Sequence, residues 1–163
     1  MGRYNDLGKE IKEFKVSRRK IRKIVVHTSA NKFTTKKGAL YIHEVHKKNG
    51  WRGCGYHYVV PVHSPIQIGM DVDYVGIHAK GFNKKSIGVC YMGGLDKNLV
   101  PRDNILSVDQ YTKLVNLVAQ LVLIYKEAEV IGHNELPNVR KACPCLDMDK
   151  FREDVSIAYE RYA

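Results

Sequence analysis

The chain has 163 residues, 44% apolar and 27% charged, which suits one compact domain large enough to bury a core. No stretch approaches the roughly 20 apolar residues of a membrane-spanning helix. No apolar segment like that of a signal peptide opens the chain, and four cysteines without a CxxC pair or framework spacing argue against a disulfide scaffold. The expectation is cytoplasmic synthesis, no membrane insertion and a monomer. A formal charge of +10 signals attraction to a polyanion (nucleic acid, an anionic envelope polymer or an acidic protein) or a solubility bias spread over the surface.

Residues 1–22 read as a basic N-terminal arm exposed to solvent, with Ile11 and Phe14 as its only candidates for packing. No aromatic interleaving accompanies the charge, which disfavours nucleic acid as a partner. Ile24-Val25-Val26 is a β-branched run that predicts a buried strand ending at His27-Thr28-Ser29. A helix is expected near 38–48, with Leu40, Ile42, Val45 and His46 on its apolar face and Asn49-Gly50 as its stop. His43 and His46 share that helix, but their lysine-rich flanks favour a surface reading over a metal pair.

Residues 55–62 predict a second strand with Tyr56, Tyr58 and Val60 on one face and His57 and Val59 on the other, turned by Ser64-Pro65 into a hairpin partner at 66–68. A glycine-bounded loop covers 76–81, and 86–92 reads as a buried strand in which Cys90 is a packed thiol. After a polar connection, Ser107 and Gln110 form a capping box for a long helix with Tyr111, Leu114, Val115, Val118, Leu121, Val122 and Tyr125 inward. Residues 129–132 are a last strand delivering His133, and Asp147 caps a terminal helix with Phe151, Val155, Ala158 and Tyr162 inward. The fold class is therefore α/β, a single domain with a central mixed sheet of about five strands flanked by about three helices.

Two histidines at strand ends and a cysteine near the second are good donors for zinc. Three protein ligands with one open position is the pattern of a catalytic site. Cys145 is available as a fourth ligand, so a structural site stays open. Lys141, two residues before Cys143, is suited to stabilising an oxyanion, and Tyr56 to donating a hydrogen bond to the same oxygen. A Cys143–His133 thiolate–imidazolium pair would instead make a cysteine hydrolase, though no glycine elbow precedes Cys143.

Six segments in order carry a resemblance: 26–30 (VHTSA), 55–57 (GYH), 78–83 (HAKGFN), 86–90 (SIGVC), 132–135 (GHNE) and 141–144 (KACP). Together they resemble the zinc-dependent N-acetylmuramoyl-L-alanine amidases of the amidase-2 family, related to peptidoglycan recognition proteins and closest to the small phage lysozyme-type amidases. The resemblance assigns residues 23–163 to the catalytic domain and implies one zinc ion held by His27, His133 and Cys143, with Tyr56 and Lys141 catalytic. It makes His78 and Lys80 candidates for contacts with the glycan or stem peptide. The implied reaction is hydrolysis of the amide between N-acetylmuramic acid and L-alanine in peptidoglycan, for cell-wall lysis after release. A non-catalytic peptidoglycan-binding module and a regulator of a host RNA polymerase are the alternatives. Departures from the family pattern are a longer loop at 136–139, Cys145 after Pro144 and a longer basic arm.

Overall fold

The computed structural model describes residues 2–163. The elements, in chain order, are β1 (Lys23–Thr28), β2 (Asn31–Lys32), α1 (Ala39–Lys48), β3 (Tyr58–Val60), β4 (Gln67–Ile68), β5 (Ser86–Tyr91), β6 (Gly94–Leu95), α2 (Val108–Ile124), β7 (Glu129–Gly132) and α3 (Met148–Tyr162). Five strands form one mixed sheet in the order β4-β3-β5-β1-β7, in which only the β3–β4 pair is antiparallel. β2 and β6 make a separate two-stranded pair. No helix of the described residues is long and apolar enough to cross a membrane.

β1 is apolar on both faces because both faces are covered, as strands in parallel sheets usually are. Ile24, Val26, Tyr58, Val60, Ile87, Val89 and Tyr91 pack under α2 and α3, against Leu114, Leu117, Leu121, Phe151 and Val155. On the other face Val59, Cys90 and Met92 meet Ala39 and Ile42 of α1. Val25 packs there with Ala79 and Leu136. His27 shares the parity of Val25, and its register partner on β5 is Cys90, which is fully buried as expected.

Several details depart from expectation for identifiable reasons. Leu40 is exposed; α1 buries Ile42 and His46 as expected, and Ala39 in place of Leu40. Regular pairing of the second strand begins only at Tyr58, so the alternation does not extend back to Tyr56. That side chain packs with Val59 rather than with Tyr58. Ser107 does cap α2, accepting from the Gln110 backbone N–H at 3.1 Å. The Gln110 side chain does not close the box. Its Nε2 donates to the carbonyls of Val60 and Met92 at 3.1 and 2.8 Å, two buried acceptors at strand ends. Asp147 caps α3, but Tyr162 lies exposed one turn beyond Ala158.

The basic arm is not a solvent-facing tail. The Gly8 and Ile11 N–H groups donate to the carbonyls of Ile68 and Ile66, and Ile68 N–H donates back to Lys9. Lys15 and Arg18 meet Asp71 and Asp73 in ion pairs at 2.8 to 3.2 Å. Ser17 and Ile21 are buried. The charges that suggested a free arm find acidic partners some fifty residues further along the chain, a complementarity invisible in local composition.

Candidate metal centre

β1 and β7 run parallel and end at the same edge of the sheet, which places His27 beside the short 3-10 turn His133–Glu135. Glu135 holds that turn. One carboxylate oxygen accepts from Gly132 N–H at 2.8 Å, and both oxygens take a forked bond from Arg152 of α3 at 2.7 and 3.0 Å. Cys143 is docked separately: its carbonyl accepts from Asn134 N–H at 2.9 Å and its sulfur from Thr28 N–H at 3.3 Å. Tyr91 reaches out of the core to donate its hydroxyl to the Pro144 carbonyl at 2.6 Å, across a cis Cys143–Pro144 bond.

These anchors bring the ligand atoms of His27, His133 and Cys143 within 4.8 Å of one another. Cys143 Sγ lies 3.9 Å from His27 Nδ1, and the two histidine rings are 4.4 Å apart between centroids. Two imidazole nitrogens and a thiol are a donor set that fits a zinc-like ion with one position left for solvent or substrate. Cys145, the candidate fourth ligand, is not part of the cluster; it is buried beside Leu146 and Met148, and its backbone N–H is bonded to Ala142.

Behind His27 stands a second histidine. His27 Nε2 is 2.9 Å from His78 Nδ1, and His78 Nε2 is 3.1 Å from Ser86 Oγ. A His27 that offers Nδ1 to a metal carries its proton on Nε2 and donates it to His78, which in turn donates to Ser86. Both ring nitrogens of His78 thus have partners within the protein. Two glycines make room for the ring: a Cβ on Gly76 or on Gly88 would stand 2.7 Å from His78 Cδ2. Lys80 is exposed and outside this cluster.

The protonation states follow from burial. Desolvation, reinforced by the neighbouring cations and histidines, pushes His27 and His78 well below the usual histidine range, and His133 moves the same way. All three are neutral, the form that binds a metal. Burial pushes the Cys143 thiol up to about 11, against the pull of the Thr28 N–H and the Lys141 charge. A neutral thiol beside a neutral imidazole is not the ion pair of a cysteine hydrolase. The Tyr56 ring lies 4.9 Å from that of His27, and burial holds its phenol well above the ordinary range, a fixed hydrogen-bond donor. Lys141 is exposed, and its charge acts on His27, His133 and Cys143 together.

A family model, N-acetylmuramoyl-L-alanine amidase, matches residues 17–145. The chain belongs to this amidase family. The endolysin of Klebsiella phage KP32 is 35% identical over 136 residues, 83% of this chain and 88% of that protein. The endolysin of Escherichia phage T7 is 36% identical over 130 residues, 80% and 84% of the two chains. The fold is shared with N-acetylmuramoyl-L-alanine amidase LysC from Clostridium intestinale URNW, with a TM-score of 0.70 at 22% identity over 90% of this chain and 95% of that one.

Two features of the amidase escape a reading of its sequence. His43 and His46, read as surface residues, accept the backbone N–H groups of Cys54 and Gly55 at 3.0 and 2.9 Å, pinning the segment that leads to Tyr56. Their flanks hid this because Lys47 and Lys48 face solvent while the histidines turn toward residues 54 and 55. Next to Tyr56 lies a cavity of about 150 Å³ lined by Ser29, Asn31, Tyr41, Ile42 and His46. Asn31 Oδ1 is the only buried side-chain oxygen or nitrogen among the described residues without a hydrogen-bond partner. An orphan acceptor beside the candidate centre has no signature in sequence; the one available cue is its position four residues after His27.

Proposed function

We propose that this chain is an endolysin-type amidase that cleaves the bond between the lactyl group of N-acetylmuramic acid and the first L-alanine of the peptidoglycan stem, using one zinc ion held by His27, His133 and Cys143. The observation that carries the reading is the meeting of those three donors, within 4.8 Å, from segments more than a hundred residues apart. A recognition module without activity has no need of a complete ligand set. Action on the cell wall after release follows from the likeness to phage endolysins.

When bound, zinc supplies a Lewis acid that polarises the scissile carbonyl and makes a water nucleophilic near neutral pH. Cys143 gives up its proton on loading and His27 and His133 are already neutral, so affinity falls in acid. His78 and Ser86 lock the His27 tautomer that leaves Nδ1 free. Tyr56 donates its phenolic hydrogen to the carbonyl oxygen, and Lys141 offsets the negative charge that gathers there as the carbon becomes tetrahedral. Exposure lets Lys141 reach a substrate laid over the cluster.

The test measures zinc content and muropeptide release together, for the wild type and for Cys143→Ser. About one zinc per chain, release of stem peptides with a free alanine amino group, and loss of both in the variant are expected. A metal-free wild type that still hydrolyses would overturn the mechanism. Zinc without hydrolysis would make the site structural.

A further inference from the structure

A cleft of about 680 Å³ lies at the end of the sheet opposite the metal cluster. β1 and β5 run parallel, and His27 is near the C-terminal end of β1. The cleft is lined by Arg22 and Lys23 where β1 begins and by Lys84 and Lys85 just before β5, with Val75 and Phe82 as its apolar wall. Four residue steps of β1, about 13 Å, separate Lys23 from His27.

Four cations line this cleft, and only two of them have a carboxylate partner. Arg22 pairs with Glu127 at 3.5 Å and Lys23 with Glu129, both carboxylates being largely exposed. Lys84 and Lys85 have no ion pair among the described residues. Under the turn sits a fifth cation. Arg19 is half-buried and bonded to the carbonyls of Val72, Asn83, Lys84 and Ser86 at 2.9 to 3.4 Å, and no carboxylate lies within ion-pair reach of it. The Lys85 carbonyl is taken by Arg22 N–H at 2.7 Å. The turn is therefore sorted: its carbonyl oxygens point inward to arginine, and its ammonium groups face the cleft.

We propose that this cleft is a second binding site, for the phosphate headgroups of an anionic phospholipid surface. A nucleic-acid strand would want free aromatic faces for stacking. The one ring here, Phe82, already carries the Lys23 ammonium 5.9 Å from its centroid. Cations beside an apolar side chain such as Val75, which is 42% exposed, are the chemistry that meets headgroup phosphates at a bilayer interface. Docked this way, the amidase turns its metal cluster away from the bilayer, toward whatever lies beyond it.

The test compares co-sedimentation of the full chain with phosphatidylcholine vesicles that contain or lack phosphatidylglycerol. It uses the wild type, K84E/K85E, and K12E/K97E, which carries the same change of net charge at exposed positions away from the cleft. The wild type and K12E/K97E bind the anionic vesicles, and K84E/K85E binds at least about tenfold less. All three hydrolyse a soluble muramoyl peptide at equal rates. Equal loss in both variants would mean that overall charge, not the cleft, drives binding, and no preference for phosphatidylglycerol would also overturn the site. Complete release by inorganic phosphate at physiological ionic strength would assign it to a free phosphate. A DNA duplex bound more tightly than the vesicles, and lost in K84E/K85E, would assign it to nucleic acid.

Discussion

His78 Nδ1 stands 2.9 Å from His27 Nε2, on the side of the ring away from Cys143. In the proposed zinc site, a histidine outside the ligand set thus holds the tautomer of His27 that leaves Nδ1 free. His78→Ala keeps all three ligands yet is expected to weaken zinc binding about 10- to 100-fold, the usual cost of losing such a partner. Competition against a chromophoric chelator measures it. Unchanged zinc affinity would reduce His78 to a packing residue.

Asn31 makes a different kind of claim. A buried acceptor without a donor costs about 1–3 kcal/mol, and replacing it by an apolar group of similar volume removes that cost. Asn31→Leu is thus expected to melt at or above the wild-type temperature while its KM for a muramoyl peptide rises. Scanning calorimetry and steady-state kinetics together separate this from a structural role, in which stability and activity would fall in parallel.

Arg19 replaces a hydrogen-bonding strand neighbour for four carbonyls. Arg19→Met removes a donor from each; the Val72 carbonyl keeps the Ser17 hydroxyl and that of Asn83 keeps the Ser86 N–H, while those of Lys84 and Ser86 lose the guanidinium. A loss of about 2–4 kcal/mol in urea unfolding is expected. Arg19→Lys restores only part, since one ammonium cannot span the fork.

Acid stability of the metal-free protein is set by its buried histidines. Burial lowers His57 to about 4, and His27 and His78 move in the same direction. The unfolded chain takes up these protons near pH 6.5 while the folded one resists until lower pH, so stability is full above about 6.5 and falls toward about 4. His57 alone accounts for about 3 kcal/mol across that window. Urea midpoints at several pH values should decline there. Asp73, held near 2 by the Arg18 N–H and the Lys15 ammonium, acts only in a more acid range. Midpoints flat down to pH 4 would contradict the burial of these rings as neutral groups.

The sheet centre was legible because β1 and β5 contain the apolar runs Ile24-Val25-Val26 and Ile87 to Tyr91, and α2 because its apolar spacing spans nearly five turns. His27 and His133 could be singled out because each follows such a run. What stayed hidden depends on partners remote in sequence. Gln110 looks like half of a capping box until two strand-end carbonyls require its amide. His78 looks like a loop residue until Gly76 and Gly88 are seen to leave space for its ring. The arm looks like a charged tail because Asp71 and Asp73 lie beyond any local window.

That arm also changes what the molecule presents to its own copies. β4 is the outermost strand on one side of the sheet, and Gly8, Lys9 and Ile11 occupy the backbone groups it would otherwise leave open. An unpaired strand border is a template for edge-to-edge joining between molecules. Shortening the chain past Ile11 would therefore remove more than positive charge: it would uncover a seam along which unfolded or neighbouring chains can add, and aggregation would limit such a variant before any loss of catalysis.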